Sequence, residues 1–534
     1  MSLAKLPPNA KVAVLGAGIS GLSFTYFLHK LRPDVQFHIF EKSPRSGGWI
    51  NSSHLHVKST NEQIILEKGP RTLRGVKDGT VIMIDILRNL NKEREIEIMT
   101  NDSIANRKYV MNAQQQLIQI PNSFMSLVKF LKGMKLMNGR LLIGILREPF
   151  VPVLQEDESI EGFFTRRFGS SLWIDNLGSA VIHGIYASDV AKLSVMSTLP
   201  VLKEIERESG SIVRHMLKSL FGQVKKKKNE ERAKVVSDEL TQYERLISPD
   251  GNMNGLLTKL KGIPMIKLHN GLEELPRAMT NYLANEKNIK IHYNSPIKEI
   301  DPISGKVNGE SFDHIRSTIN THALSNALPS NNPLRANLSS IEYVNIFLCN
   351  IYSKKKIIPS AGFGFLVPKF GNISLNPQAH LGTIYDSDIE KNVISLFGER
   401  NQQGQQEGYD KITIMLGGHY YSNWEIPSKS INLQIIYEIL KSKLRIDLQK
   451  FNIKIIDETM TIDTIDENDL IISYNYHNSC IPVYGVGYLD TKAKVIQTIE
   501  DNRYKLSFGG TVFADGVAVP DCVSNAFKDS MKLM

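Results

Sequence analysis

The segment Gly16-Ala17-Gly18-Ile19-Ser20-Gly21 has the residue types and spacing to hold a pyrophosphate. Gly16 and Gly18 permit a tight turn and a close approach of backbone to phosphate oxygens, and Gly21 lets the following helix sit close to the preceding strand. The N–H groups at the start of that helix have no intrahelical partners and favour an anion. Glu41 lies twenty residues beyond Gly21, where a carboxylate accepts hydrogen bonds from adenosine ribose hydroxyls. A lone G-x-G-x-x-G is weak; with the acid in place and the right elements around it, it specifies a dinucleotide.

Those elements are legible. Lys11–Leu15 is an apolar run of strand length, and Phe24, Phe27, Leu28 and Leu31 follow at the spacing of a helix face packed on a sheet. Gln36–Phe40 reads as the second strand of one βαβ unit and ends on Glu41. Directly after it come Arg45, Gly47, Gly48 and Trp49, an extension that NAD dehydrogenases usually do not carry. It resembles the R-x-G-G element of the amine-oxidase-like flavoprotein superfamily, whose glycines pass close to the FAD pyrophosphate and ring. The expected cofactor is therefore FAD, one per chain and non-covalent. Near the other end, Leu506–Gly510 reads as a short strand closing on glycines, and Asp515–Val519 leads into a helix from Pro520. That turn can lay backbone donors against a flavin edge. Two such segments at opposite ends imply a nucleotide domain assembled from distant parts of the chain.

The chain has 534 residues, 42% apolar and 22% charged, with a net charge of +9. This is globular composition, long enough for three or four domain-sized units and a sizeable core, and not that of a disordered or collagen-like chain. The basic excess suits anionic surfaces or acidic small molecules. Cys349, Cys480 and Cys522 form no C-x-x-C pair, which argues against a disulfide framework or zinc ribbon. No apolar run approaches the ~18 residues of a spanning helix. The opening MSLAKLPPNA has no apolar secretory core, and the first acid is Asp34. Such an acid-poor, weakly basic start fits a mitochondrial address as well as a short tail.

Further motifs, in order, resemble the oxygen-dependent protoporphyrinogen IX oxidases, most closely the mitochondrial fungal type. They are LEKGPRTLR (66–74), GIYASDVAKLS (184–194), NGLEELP (270–276), GFGFLVP (362–368), LGTIYDS (381–387), MLGG (415–418), CIPVYGVGY (480–488) and DGVAVPDC (515–522). Three positions depart from the family pattern: Ser188 replaces a glycine, Val483 a glutamine and Asn270 a glycine. None removes a cofactor glycine, although Ser188 puts the local turn geometry in question.

The resemblance implies FAD contacts at Gly16, Ala17, Gly18, Ile19, Ser20, Gly21, Glu41, Arg45, Gly47, Gly48 and Trp49. It extends them to Gly69, Pro70, Arg71, Thr72, Ile297, Gly510, Val517, Ala518 and Val519. It places substrate at Arg107, Gly184, Phe363, Leu366 and Met415. The implied reaction converts protoporphyrinogen IX to protoporphyrin IX in three two-electron flavin cycles, with O₂ as acceptor and H₂O₂ as by-product, the penultimate step of haem biosynthesis. Phe363, Leu366 and Met415 suit a tetrapyrrole face, although alone they read equally as sheet core. Arg107 suits a propionate, or equally a solvated surface. Hydride transfer to flavin N5 from a bridging carbon demands no side-chain base, and none is conspicuous among the thirteen histidines. His183, beside Gly184, is the histidine closest to the pocket in sequence. No metal-ligand cluster is apparent.

Ser123–Arg147 mixes Leu, Met and Phe with five basic residues and no acid, a pattern suited to an anionic membrane surface or to a helical core with a solvated lysine face. The resemblance implies peripheral attachment to the mitochondrial inner membrane, a homodimer and hand-off of product to ferrochelatase. The basic run at 225–228 lacks the interleaved aromatics of a nucleic-acid binder, so no nucleic-acid partner is expected. The expected architecture is α/β: a discontinuous Rossmann-type FAD-binding domain (1–90, 263–300 and 481–534), a helical membrane-binding domain (91–220), a charged mobile insertion (221–262) and a mixed-sheet substrate domain (301–480). Two other readings share the nucleotide motifs: an amine oxidase or carotenoid-desaturase relative, and a flavin-free prenyl-lipid carrier of the Rab-GDI type.

Overall fold

A computed structural model describes residues 5–121, 126, 129, 130, 132, 134, 139–220, 236–398, 408–423, 426–456 and 460–534. Five parallel strands form the nucleotide sheet in the order Ile289–His292, Gln36–Phe40, Lys11–Leu15, His314–Ser317, Leu506–Phe508. Val12, Ala13, Val14 and Leu15 are fully buried, because helices cover both faces of a parallel sheet and a strand inside it has no solvent side. The helix Ile19–Leu31 packs on the C-terminal helix Val519–Lys532, with Phe27 edge-on to Phe527 at 5.4 Å. The chain thus closes on itself: strand and helix from the last thirty residues complete a sheet begun at residue 11.

The second sheet is mixed and has eight strands. Its order is Asn452–Ile455, Asp469–Pro482, Tyr343–Ser353, Asp410–Gly418, His380–Ile384, Gly364–Leu366, Lys108–Met111, Leu117–Gln119. One face packs on the helix Lys429–Ser442 through Ile412, Ile414, Leu416, Phe365 and Ile436. The other face turns towards the nucleotide sheet.

A cluster of helices includes Gly139–Arg147, Ile160–Phe168, Ser179–Tyr186, Pro200–Ser209 and Ile212–Leu220. Charge lies inside it. Arg167, Glu148, Glu206 and Lys203 are buried, Arg167 pairs with Glu148, and Lys203 and Arg166 both reach Glu158. Large apolar side chains lie outside: Leu146 is 72% and Phe150 80% exposed, alongside Leu142, Ile143, Val201 and Met216.

Three boundaries differ from the sequence reading. Lys108–Met111 and Leu117–Gln119 belong to the mixed sheet, so the helical region starts later than residue 91. His314–Ser317 is the fourth strand of the nucleotide sheet, which extends the middle segment past residue 300. Residues 236–262 are no mobile insertion: helices Asp238–Leu246 and Met253–Leu260 bury Leu240, Tyr243, Met253 and Leu256 in the nucleotide-domain core. Their high charge misleads because only one face is apolar; Ser237 caps the first helix and Tyr243 donates to Asp85 at 2.9 Å. The basic run at 225–228 and most of 123–138 lie outside the described residues.

Candidate functional site

The strand, glycine turn and helix form where the sequence reading places them. Gly16 has φ +98°, and Gly18 starts the helix with no side-chain cap, leaving its N-terminal donors open to a ligand. A β-carbon on Gly21 would sit 2.1 Å from the Gly16 carbonyl oxygen, which is the close packing that position requires. The Arg45–Trp49 loop crosses directly above, with Gly18 and Gly47 forming an isolated parallel bridge. Arg45 turns back on its own loop and donates to the carbonyls of Ser46, Gly48 and Ile50 at 2.8, 2.7 and 3.1 Å. Its guanidinium therefore shapes the loop.

Glu41 is buried at the end of its strand. One carboxylate oxygen accepts from the Ala17 N–H at 2.9 Å and the other from Ser43, so the acid is held beside the glycine turn. Ser295 donates its N–H to the Glu41 carbonyl at 2.8 Å, which brings the Ile297 loop to the same place. Gly510 approaches Thr318, and Thr318 in turn packs on Gly16. The turn through Val517, Ala518 and Val519 opens the last helix, where Lys77 meets Asp521 at 2.7 Å and Gly79 packs on the Pro520 carbonyl. Among the residues predicted to hold FAD, those of both chain ends therefore converge on one crevice.

Gly69 to Thr72 run from this crevice to the mixed sheet. A β-carbon on Gly69 would overlap the Trp49 carbonyl, at 1.9 Å. Arg71 is buried and donates to Asp386 at 2.7 Å and Thr413 at 2.6 Å, docking the segment on the sheet face. A small cavity beside it is lined by Glu67, Arg71, Thr72, Lys267, His269 and Asp386. Burial pushes the Glu67 carboxyl up to about 7, against acceptance from Ser52 Oγ and the Leu272 N–H. Glu67 and Asp386 stood inside motifs quoted above, but no local spacing marked them as a pair.

Strand register assigns the sheet face towards the crevice. Residues directly opposite in paired strands share a face, and one row across it reads Val110, Leu366, Gly382, Met415, Leu348, Asn475. The next reads Lys108, Gly364, Ile384, Thr413, Asn350, Ser473. Gly184 meets this face from the helix Ser179–Tyr186, where a β-carbon would lie 3.0 Å from Leu366. The Leu366 side chain fills the space against Gly184 and Gly382, and with Met415 they make up one apolar face between the helix and the sheet. Phe363 does not share that face; it packs beside the strand end with Met99, Ala105 and Met265. Arg107 is exposed, and its carbonyl accepts from the Phe363 N–H at 2.7 Å.

His183 is buried behind Gly184. Its Nδ1 lies 2.7 Å from the Val367 carbonyl oxygen and its Nε2 lies 3.0 Å from Nε2 of His419. A carbonyl only accepts, so Nδ1 carries the proton, Nε2 accepts, and His419 is the donor in that pair. Burial holds both imidazoles below the usual range and hence neutral. Ser188 raises no turn problem: Ala187 takes the left-handed conformation, φ +51°, and the Ser188 hydroxyl donates to the Tyr186 carbonyl.

Fold and crevice together define a flavin-dependent oxidoreductase. The chain belongs to the flavin containing amine oxidoreductase family, whose model matches residues 19–503, and within it to the protoporphyrinogen oxidases. The Saccharomyces cerevisiae protoporphyrinogen oxidase is 34% identical over 557 aligned residues, covering 100% of this chain and 99% of that protein. The Schizosaccharomyces pombe protoporphyrinogen oxidase is 26% identical, covering 98% of each. Cyclohexylamine oxidase from Brevibacterium oxydans shares the fold, with TM-score 0.55, 11% identity and 99% coverage of both chains.

Proposed function

We infer that this chain oxidises protoporphyrinogen IX to protoporphyrin IX with O₂ as acceptor and H₂O₂ as by-product. The observation that carries the reading is the end-to-end identity with the Saccharomyces protoporphyrinogen oxidase; the likeness to amine oxidases extends to fold alone. FAD suits the crevice: open helix-end donors, a glycine turn at φ +98° and a buried, oriented carboxylate match a diphosphate and a ribose. Gly16–Gly21, Glu41, the Gly47–Trp49 and Gly69–Thr72 loops, Ile297, Gly510 and Val517–Val519 would hold it, with Arg45 shaping the first loop. When bound, the flavin supplies a two-electron acceptor that O₂ returns to its oxidised form, three times for the six electrons removed.

The chain's own residues do the remainder. We assign the macrocycle to the apolar face of Gly184, Leu366 and Met415, which would keep water from its reacting carbon. The neutral His183–His419 pair ties the Gly184 helix to Val367 and to the strand end after Met415, holding the helix on that face. No side chain is assigned the role of base.

Among the described residues, no helix is long and apolar enough to cross a membrane. The helical cluster, charged within and apolar without, suits docking on an anionic membrane surface, and we assign it that role at the mitochondrial inner membrane.

The test is an aerobic assay of purified protein with protoporphyrinogen IX, following porphyrin fluorescence and peroxide on a sample whose flavin content is known from its absorption. Yellow protein forming one peroxide per two electrons is expected. Yellow protein with no rate above autoxidation would overturn the substrate, and protein that takes up no FAD would overturn the enzyme.

A further inference from the structure

Three side chains from one short stretch grip the backbone of the turn that follows Gly510. Tyr484 donates its hydroxyl to the Thr511 carbonyl and Tyr488 to the Val512 carbonyl. Lys492, one turn further along the helix Tyr488–Asp501, reaches the Ala514 carbonyl at 3.3 Å. The Gly510 carbonyl accepts from the N–H groups of Phe513 and Ala514, so the turn is also closed on itself. The two tyrosine rings are buried and stacked, their centroids 4.5 Å apart and their planes inclined by 27°. Burial raises both phenols, so each hydroxyl keeps its proton and stays a donor.

The stretch stands where three parts of the molecule meet. It follows directly on the strand Asp469–Pro482 of the mixed sheet. The Ser194 N–H donates to the Tyr484 carbonyl at 2.8 Å, and the ring of Tyr186, the last residue of the Gly184 helix, lies 5.8 Å from that of Tyr484. On the other side is the turn itself, where Gly510 approaches Thr318 and Thr318 packs on Gly16. A buried hydroxyl needs a partner wherever it lies, but here one segment takes three carbonyls of a single turn. In a planar trans peptide the C=O and N–H point in opposite directions, so fixing these carbonyls also fixes where the N–H groups of the turn point. Backbone that receives a diphosphate must present N–H groups and send its carbonyls elsewhere.

We propose that Tyr484 and Tyr488 are positioning residues for the flavin-holding turn: acting through the backbone, their hydroxyls set the direction of the donors after Gly510 and hold that turn at a fixed offset from the Gly184 helix. Lys492 supports the same turn from the next turn of its helix. The inference rests on FAD occupying the crevice. It gives the segment CIPVYGVGY (480–488) a task that its place at the end of a sheet strand does not explain.

The experiment measures FAD release from the holoenzyme on dilution, read as the fluorescence of free FAD, in Tyr484→Phe, Tyr488→Phe and the double variant. Phenylalanine keeps the stacked rings and removes only the hydroxyls. Release is expected to be about three- to ten-fold faster in each single variant and about thirty-fold faster in the double variant, the usual worth of one and two lost hydrogen bonds. Tyr243→Phe is the control: its hydroxyl is also buried and donates to Asp85 at 2.9 Å in the nucleotide-domain core. That variant should lower the urea midpoint and leave release within two-fold of the parent. A double variant within two-fold of the parent overturns the proposal. So does a Tyr243→Phe variant that speeds release as much as the double variant, because the loss would then follow stability and not position. Should the double variant not fold, the single variants carry the comparison, and both lying within two-fold of the parent overturns the proposal. A parent that holds no FAD overturns the underlying reading, and the inference with it.

Discussion

Replacing Glu67 by glutamine should stabilise the protein at alkaline pH and do little at pH 5. Among the described residues the carboxyl accepts two hydrogen bonds, 2.7 Å from Ser52 Oγ and 2.8 Å from the Leu272 nitrogen. The nearby cations are engaged elsewhere, Arg71 by Asp386 and Lys411 by Glu390. Burial therefore dominates and raises its folded pKa to about 7, above the unfolded value of 4.5. The folded state then binds the proton more tightly than the unfolded state, so this group's contribution is present below pH 4.5 and is lost as pH rises through 7. At about 1.36 kcal/mol per unit, the loss between pH 5 and pH 8 is at most about 2.5 kcal/mol, and nearer about 1 if water in the adjoining cavity screens the charge. Glutamine does not titrate and can keep one bond to the Leu272 N–H while donating to Ser52. The urea midpoint of Glu67→Gln minus that of the parent, multiplied by a shared m value, should grow by about 1–2.5 kcal/mol from pH 5 to pH 8 at constant ionic strength. A difference that is flat across this range, or that shrinks, would refute the assignment of a raised pKa.

Gly21→Ala should leave the protein colourless, with under a tenth of the parent's flavin per chain by absorbance, because the new methyl would lie 2.1 Å from the Gly16 carbonyl and force the helix off the strand. Retention of normal flavin would mean that this contact yields without disturbing the cradle. On the helical cluster, Leu146→Asp with Phe150→Asp removes two side chains that are 72% and 80% exposed. At roughly 1.5 kcal/mol or more for each inserted side chain, partitioning to vesicles containing anionic lipid should fall at least about 100-fold in a flotation assay; unchanged partitioning would place the membrane contact elsewhere.

The local determinants of the cofactor crevice were readable in order along the chain. Lys11–Leu15, the Gly16–Gly21 turn and Gln36–Phe40 fall where the spacing predicts, and the final helix starts at Val519, one residue before its expected first turn at Pro520. Each depends on neighbours in sequence: alternation, helical periodicity and glycines that a turn requires. Helices Asp238–Leu246 and Met253–Leu260 escaped because a single buried stripe under many charges looks like a solvated segment until the surface it packs against is known.

The face that Gly184 packs on was beyond reach for a different reason. Gly184 meets Leu366 and Arg71 meets Asp386 across separations of 182 and 315 residues, and His183 meets His419 across 236. Whether Met415 faces the crevice or the core depends on strand register, and a shift of one residue would exchange it with Ile414. The sequence by itself determined the glycine turn and the strand–turn–helix segments at the two chain ends, because these require only local turns and strands. Tertiary structure alone decided which side chains share the Gly184 face and which histidines pair behind it, because facing, burial and pairing are properties of packed surfaces and not of residue order.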